Sequence, residues 1–194
     1  MKNNNQFSSS NNALIARLPT VRGRYSENVD MSLFTWFRVG GMAEVIFRPA
    51  DLEDLSGFLE NKKEKSPVTV IGATSNLLVR DGGIPGVVIR LGKPFSNIVP
   101  LQKSLRVGSA ALNSQVSRAA LRADRTGLEF LSGIPGTIGG GLRMNAGSYG
   151  SEFKDILIEA EIMDPFGNVH VLSVDELGFK YRHCSVDSNW ITTP

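Results

Sequence analysis

The glycine-dense segment at residues 133–147, GIPGTIGGGLRMNAG, constrains the fold of this chain more than any other feature. Glycine has no Cβ, so a backbone this rich in glycine packs closely against a flat ligand where another residue would collide. The segment has neither a Gly-Lys-Ser/Thr ending nor GxGxxG spacing, which excludes a P-loop and a Rossmann fingerprint. It is too apolar for a solvated linker, so it is predicted to form a ligand-binding wall, with a mobile surface loop as the alternative.

A second candidate loop follows VTVIG at residues 68–72, which is predicted to be a buried strand. The loop has the sequence GATSN at residues 72–76. Small residues at the end of a strand expose backbone N–H groups, and Ser, Thr and Asn side chains add further donors. That combination suits a pyrophosphate. The alternative is a polar connection that binds nothing, because short Gly/Ser loops are common.

The rest of the chain alternates predicted strands with short helices. EVIFRP at 44–49, GVVIRL at 86–91 and LRVGSA at 105–110 are predicted strands, while Asp51 and Asn113 are predicted to cap two helices. ILIEAEIM at 156–163 and VHVLS at 169–173 are predicted to pair as a hairpin. Ser173 and Glu176 then form a capping box that is predicted to begin a single helical turn.

A Pro-containing stretch after residue 92 separates two predicted α/β subdomains. The predicted organisation is a disordered or extended tail at 1–29, a first subdomain at 30–92 and a second subdomain at 93–194. The net charge is +2 with no Lys/Arg block, which argues against nucleic acid as a partner. One cysteine, Cys184, and two histidines exclude a disulfide and argue against a zinc site. Without a signal peptide or an apolar span, a cytoplasmic location is expected.

Three separated segments together resemble a known family. IGATSNLLVRDGGIPGVVI, GLEFLSGIPGTIGGGLRMNAGSYG and FKYRHC follow the order and spacing of the UDP-N-acetylenolpyruvoylglucosamine reductase (MurB) family. FTWFRVGGMAEVIFRP, upstream, resembles the opening signature of that family. The resemblance runs from about residue 34 to residue 190. It implies an α+β chain with the FAD-binding fold of vanillyl-alcohol oxidase and p-cresol methylhydroxylase, built from two α/β subdomains.

The resemblance also implies a cofactor, a hydride donor and a substrate. Such an enzyme passes hydride from NADPH to FAD, and then to the enolpyruvyl group of a UDP-sugar, to give UDP-N-acetylmuramate for peptidoglycan. Residues 72–78 would then lie along the pyrophosphate of FAD, and residues 133–147 against its flavin ring. The implied cofactor-binding residues are Gly72, Ala73, Thr74, Ser75, Asn76, Leu77, Leu78, Gly133, Ile134, Pro135, Gly136, Gly139, Gly140, Asn145 and Gly147.

Arg182, within FKYRHC, matches the catalytic arginine of the family. A guanidinium suits that role because it stays charged and donates paired hydrogen bonds to an enolate or a carboxylate. Tyr181, beside it, is a supporting candidate. The alternatives are a surface arginine and a core tyrosine.

The resemblance implies a proton-donating serine and an assisting glutamate in a C-terminal substrate domain, which a chain ending at Pro194 is expected to lack. Two hypotheses therefore stand: a partial chain of the reductase, and a truncated FAD-binding remnant that catalyses nothing. A third alternative is an unrelated flavin- or nucleotide-binding domain, such as a sugar oxidase module. A flavin-attachment histidine or cysteine near the two loops would favour that third alternative, and neither is evident in the sequence. No protein partner and no membrane insertion are expected.

Overall fold

The computed structural model describes residues 14–62 and 67–193, and its first sheet has four strands. They are β1 (Arg24–Asp30), β2 (Met42–Arg48), β3 (Val68–Ile71) and β4 (Ile84–Arg90), in the spatial order β1-β2-β4-β3. Strands β2, β4 and β3 run parallel, and β1 pairs antiparallel at one edge. The carboxyl ends of the parallel strands therefore lie at one edge of the sheet, which is where ligands bind in open α/β sheets.

Helix α1 (Leu52–Asn61) connects β2 to β3 and begins as the sequence predicts. The Asp51 side chain accepts a hydrogen bond from the backbone N–H of Asp54 at 2.9 Å. This is an N-cap, and the acidic residues of the first turn also favour the positive end of the helix. Leu55 and Phe58 are buried on the inner face, so the helix covers one side of the sheet.

The remaining elements include a second sheet of three strands, β9 (Glu159–Met163), β10 (Val169–Ser173) and β11 (Ile191–Thr192). Its order is β10-β9-β11, with both pairs antiparallel, so the predicted hairpin is present. The other elements are β5 (Ile98–Pro100), β6 (Leu105–Val107), α2 (Asn113–Arg122), α3 (Ile138–Arg143), β7 (Gly147–Ser148), β8 (Ser151–Glu152) and α4 (Phe153–Ile156), with 3-10 helices at Leu14–Arg17, Met31–Leu33, Lys93–Phe95 and Glu129–Gly133.

Buried apolar side chains form three clusters. Two of them lie on the two faces of the first sheet, and a third fills the second half of the chain. The cluster beneath α1 also contains Met163 of β9 and Ile191 of β11. The two sheets therefore share apolar packing, and the division into subdomains at residue 92 stays a prediction.

Three local predictions differ from the structure. Asn113 lies inside α2 rather than capping it, because its buried amide donates to the carbonyl oxygen of Ile134 at 3.2 Å. Residues 156–158 are not part of a strand, since α4 ends at Ile156 and β9 begins at Glu159. Ser173 and Glu176 form the capping-box hydrogen bonds, but the chain continues as hydrogen-bonded turns instead of a helix.

The structure describes only part of the predicted tail at residues 1–29. Residues 1–13 lie outside the described part of the chain. Residues 14–17 form a 3-10 helix, and strand β1 takes up residues 24–30 within the first sheet. No helix in residues 14–62 or 67–193 is long and apolar enough to cross a membrane.

Candidate cofactor-binding site

The two predicted loops touch each other at the carboxyl edge of the first sheet. Ser75 Oγ donates a hydrogen bond to the carbonyl oxygen of Pro135 at 3.1 Å. A Cβ on Gly72 would collide with Thr137 Oγ1, so only glycine permits this close approach. Gly136 has φ +124°, a conformation that other residues rarely adopt. Glycine is therefore required where the two segments meet.

A cavity of about 360 Å³ opens beside this junction. Its walls come from β3, from Gly72 at the start of the first loop, from the middle of the glycine-dense segment, from the residues after β4 and β6, and from the chain around β11. This size suits part of a ligand such as a nucleotide cofactor, because ligand sites usually span roughly 300–1,000 Å³. The lining residues are Val68, Thr69, Val70, Ile71, Gly72, Leu91, Ser109, Ala110, Thr137, Gly139, Gly140, Arg143, Ser188, Asn189, Trp190, Ile191 and Thr192.

Three polar atoms in residues that line the cavity are buried without a hydrogen-bond partner among the described residues. They are Ser109 Oγ, Arg143 Nη1 and Thr192 Oγ1. An unpaired buried polar group costs roughly 1–3 kcal/mol, so such groups call for a partner. Two hydroxyls and a guanidinium are donors, and phosphate oxygens are acceptors that suit them. The residues present therefore fit a phosphate-bearing cofactor such as FAD.

The loop at residues 72–78 uses some of its predicted donors inside the protein. Thr74 has φ +54°, and its hydroxyl lies 2.5 Å from the carbonyl oxygen of Phe34 and 2.7 Å from that of Ala73. Leu77 packs against the buried apolar cluster that contains Ile46 and Val88 of the first sheet. Gly72, Asn76 and Leu78 are exposed, and Ala73 and Ser75 are half-buried. The structure therefore leaves Asn76 and the backbone N–H groups as the donors that a ligand could reach.

The glycine-dense segment runs from the cavity to Arg182. Its first part turns into α3, where Thr137 caps the helix and Gly139 and Gly140 line the cavity. Its end lies beside Arg182, whose guanidinium donates to the carbonyl oxygens of Asn145 at 3.3 Å and Gly147 at 3.1 Å. Of the predicted residues in this segment, Gly133, Ile134, Pro135, Gly136, Asn145 and Gly147 are not among the residues that line the cavity.

Asn145 organises this end of the site from a fully buried position. Its amide donates to Glu152 Oε2 at 3.0 Å and to the carbonyl oxygen of Lys180 at 3.1 Å. Its side-chain oxygen accepts from the backbone N–H of Lys154 at 3.0 Å. All of these hydrogen bonds are made within the protein. They support a role for Asn145 in holding the turn that carries Arg182.

Arg182 sits at the tip of a tight turn, with φ +51°. Lys180 and His183 exchange backbone hydrogen bonds of 3.0 and 3.1 Å across the turn. The guanidinium carbon lies 5.2 Å from the centre of the Tyr181 ring, within range of a cation–π contact. Tyr181 is 81% exposed, which excludes the alternative of a core tyrosine.

Glu152 supplies negative charge near the arginine. A hydrogen bond from Lys154 lowers the pKa of the Glu152 carboxyl. Burial opposes this shift, and the Asn145 amide and the charges of Lys154 and Arg182 add to it, so the pKa is lowered overall. The carboxylate is therefore ionised at neutral pH. It contributes to the field that keeps Arg182 at this position.

Sequence reasoning missed several residues of the cavity wall. Ser109 and Ala110 follow β6 as GSA, a small-residue run after a strand that resembles GATSN and could have been found. Arg143 and the stretch at 188–192 carry no comparable signal. They reach the cavity through tertiary packing. Within residues 14–62 and 67–193, no group of three His, Cys, Asp or Glu residues could hold a metal ion.

Comparison with known proteins bears on the kind of ligand. Residues 43–173 match the FAD binding domain family. A UDP-N-acetylenolpyruvoylglucosamine reductase from Paramagnetospirillum magneticum is 54% identical over 90% of this chain and 57% of its own length. The crystal structure of the corresponding enzyme (MurB) from Thermus caldophilus is 34% identical and superposes with a TM-score of 0.74, over 90% of this chain and 60% of that one.

A more distant structure shares the fold alone. Berberine bridge enzyme is 14% identical and superposes with a TM-score of 0.58, over 88% of this chain and 39% of that one. The predicted mixed α/β fold of the vanillyl-alcohol oxidase type is thereby confirmed. The chain spans between 56% and 59% of the length of the first eight curated reductases that it matches.

Proposed function

We propose a function from one premise: this chain belongs to the FAD binding domain family and is a homologue of the UDP-N-acetylenolpyruvoylglucosamine reductases. The proposed function is to bind FAD as the flavin-binding portion of such a reductase, which would act in peptidoglycan synthesis in the cytoplasm. The proposed hydride donor is NADPH, and the proposed substrate is the enolpyruvyl ether of UDP-N-acetylglucosamine.

The cavity at the carboxyl edge of the first sheet is the observation that carries FAD binding. It lies where the two glycine-containing segments meet, and Ser109, Arg143 and Thr192, which line it, each carry a buried polar atom without a hydrogen-bond partner among the described residues. Gly140 leaves the backbone of α3 open, since the nearest atom to an added Cβ is Thr137 Oγ1 at 3.5 Å. The chain thus provides hydroxyl and guanidinium donors beside backbone that a cofactor can approach closely.

Arg182 is the residue to which we assign the stabilisation of the reacting substrate. FAD, when bound, supplies the carrier that takes hydride from NADPH and delivers it to the double bond. The bond to be reduced lies next to a carboxylate, so negative charge builds up on the substrate during the transfer. The backbone carbonyl oxygens of Asn145 and Gly147 orient the guanidinium, which has five N–H donors and can use the remaining ones on the substrate.

A second candidate function for a polypeptide of these 194 residues is flavin binding without substrate reduction. The fact that favours it is the share of the reductases that the chain spans, between 56% and 59%. General acid catalysis contributes a factor of about 10² to 10⁴, and positioning of the substrate contributes more, so reduction needs groups besides Arg182.

NADPH oxidation, measured with and without the UDP-sugar, distinguishes the two candidates. Formation of UDP-N-acetylmuramate at a rate that depends on the UDP-sugar supports the reductase. Slow NADPH oxidation that is independent of the UDP-sugar, with hydrogen peroxide as the product, supports flavin binding alone. A folded protein that takes up no FAD would contradict both.

A further inference from the structure

Asp164 anchors the turn between β9 and β10 with a carboxylate that is almost fully buried. Its side chain accepts hydrogen bonds from the backbone N–H groups of Phe166 at 2.8 Å and Asn168 at 2.9 Å, and from the Asn168 amide at 2.9 Å. Burial opposes its ionisation, yet these donors and His170 lower the pKa of the Asp164 carboxyl well below its usual range. Asp164 is thus a fixed negative charge at the end of the hairpin.

His170 joins this carboxylate to the wall of the cavity. Its Nε2 lies 2.9 Å from Asp164 Oδ2, so the carboxylate orients the imidazole. The imidazole in turn packs on the indole of Trp190, with ring centres 4.8 Å apart and planes tilted by 34°. The backbone N–H of Trp190 also donates to the carbonyl oxygen of Asp187 at 3.1 Å. Two side chains in series, Asp164 and His170, therefore support the indole.

Trp190 lines the cavity, and neither His170 nor Asp164 does. The imidazole covers one side of the indole. Trp190 is half-buried, and an indole supported by a second ring beside a cavity can serve as a stacking surface, because every base has a π-face and stacks on aromatic side chains.

We infer that the indole of Trp190 is the stacking surface for the adenine ring of FAD, and that His170 and Asp164 are its positioning residues. This inference rests on the proposed binding of FAD. The adenine end is favoured over the flavin end because the hydride chemistry belongs with Arg182, which does not line the cavity. The flavin ring is therefore assigned to the Arg182 end of the glycine-dense segment, and the adenosine half to the cavity.

ADP is the probe that tests the stacking surface directly, because it carries the adenine and no flavin to quench emission over long distances. The chain has two tryptophans, and Trp36 is 61% exposed and does not line the cavity. In flavin-free Trp36→Phe protein, ADP is expected to change the emission of Trp190 saturably. In Trp190→Phe protein, the emission of Trp36 is expected to stay unchanged. ADP that binds without any change in Trp190 emission would overturn the inference.

The affinity for FAD gives a second readout. Trp190→Ala is expected to raise the Kd for FAD by roughly 5-fold to 100-fold, which is the range for losing one base–aromatic stack. Trp190→Phe should stay within about 3-fold of the wild type, since an aromatic ring is kept. His170→Ala should fall between the two, because the indole remains but loses its support.

The outcomes separate this inference from the function on which it rests. Folded Trp190→Ala protein that binds FAD as tightly as the wild type would overturn the stacking role and leave FAD binding intact. Folded wild-type protein that binds neither FAD nor ADP would overturn the proposed function and the inference together. If Trp190→Ala does not fold, the ADP experiment on Trp36→Phe protein still decides the stacking role.

Discussion

The guanidinium of Arg182 donates a hydrogen bond of 3.3 Å to the backbone carbonyl oxygen of Asn145, a residue 37 positions earlier in the chain. The Asn145 side chain also donates a hydrogen bond to the carbonyl oxygen of Lys180, in the turn that carries Arg182. One buried residue therefore connects the glycine-dense segment to the arginine and fixes its direction. An arginine held by backbone acceptors needs little reorganisation when charge appears on a substrate, which is the condition for electrostatic catalysis.

Arg182→Lys is expected to separate the two half-reactions in a chain extended to the full length of the reductases. Substrate reduction should fall by about 10²- to 10³-fold, the usual effect of losing one donor to a developing negative charge. Reduction of the flavin by NADPH should change much less, because no enolate forms in that step. Stopped-flow absorbance at the flavin band measures both steps. An equal fall in the two rates would mean that Arg182 acts in binding or structure.

Arg143→Met should have opposite effects on FAD binding and on the stability of the flavin-free protein. Arg143 lines the cavity, and its Nη1 is buried without a hydrogen-bond partner among the described residues. Replacing it with an apolar side chain removes a desolvated donor, so the free energy of unfolding without ligand should stay equal or rise. The Kd for FAD should rise at least about 10-fold, since a charge-assisted contact contributes about 1.5–3 kcal/mol.

Arg122→Met is the matched control, because Arg122 is exposed on α2 and does not line the cavity. It should leave both quantities unchanged. Denaturant titration and FAD titration measure them. If Arg143→Met lowers the free energy of unfolding and leaves the Kd for FAD as it is, Arg143 is a structural residue and the fit to a phosphate-bearing cofactor fails.

Gly140→Leu should block FAD without unfolding the protein. Gly140 lines the cavity, and the nearest atom to an added Cβ is Thr137 Oγ1 at an ordinary 3.5 Å. An added Cβ therefore makes no close contact in the flavin-free fold, and the rest of the side chain is expected to take up space that the ligand needs. Gly136 is a poorer test, because its φ of +124° would strain any other residue. Yellow, FAD-loaded Gly140→Leu protein with wild-type flavin content would contradict this position for the cofactor.

Gly57→Leu is the control for the glycine test. Gly57 lies in α1, away from the cavity, with nothing within 4 Å of an added Cβ. Its flavin content should equal that of the wild type. The measurement for both variants is the ratio of flavin absorbance to protein absorbance after gel filtration.

Asp164→Asn should remove an acid-sensitive part of the stability. The pKa of Asp164 is lower in the folded protein than in the unfolded chain, so its contribution is full above the unfolded value of about 3.9. The contribution is lost as the pH falls through the lower folded value. The wild type should therefore be more stable than Asp164→Asn at pH 6, and the difference should shrink below about pH 4. Urea denaturation at several pH values measures this, and a constant difference would contradict it.

The sequence alone predicted the part of the site that depends on local backbone chemistry. Gly72 is predicted because small residues after a strand leave backbone exposed, and the segment at 133–147 is predicted because of its glycine density. The structure brings the two into contact. Asp51 was recognised as a helix cap for a similar local reason, and its hydrogen bond to Asp54 confirms this prediction.

Apart from Ser109 and Ala110, which belong to a small-residue run after β6, the cavity residues that sequence reasoning missed depend on tertiary packing. Asparagine is a common helix-capping residue, but the Asn113 amide is buried and donates a hydrogen bond to the carbonyl oxygen of Ile134. Trp190 reaches the cavity only because β11 pairs with β9. The ring of Trp190 packs on that of His170, although a turn and a long irregular stretch separate the two residues in the sequence. No periodicity carries such information, because these contacts are set by how elements that are distant in the sequence pair and pack.

The flavin content of the folded chain tests the central claim most directly. Purified protein is incubated with excess FAD, freed of unbound flavin by gel filtration, and measured by absorbance beside a thermal unfolding curve. The proposed function predicts close to one FAD per chain and a higher Tm in the presence of FAD, since a ligand that binds the native state stabilises it. A cooperatively unfolding protein that remains colourless, with a Tm that FAD does not change, would contradict the claim.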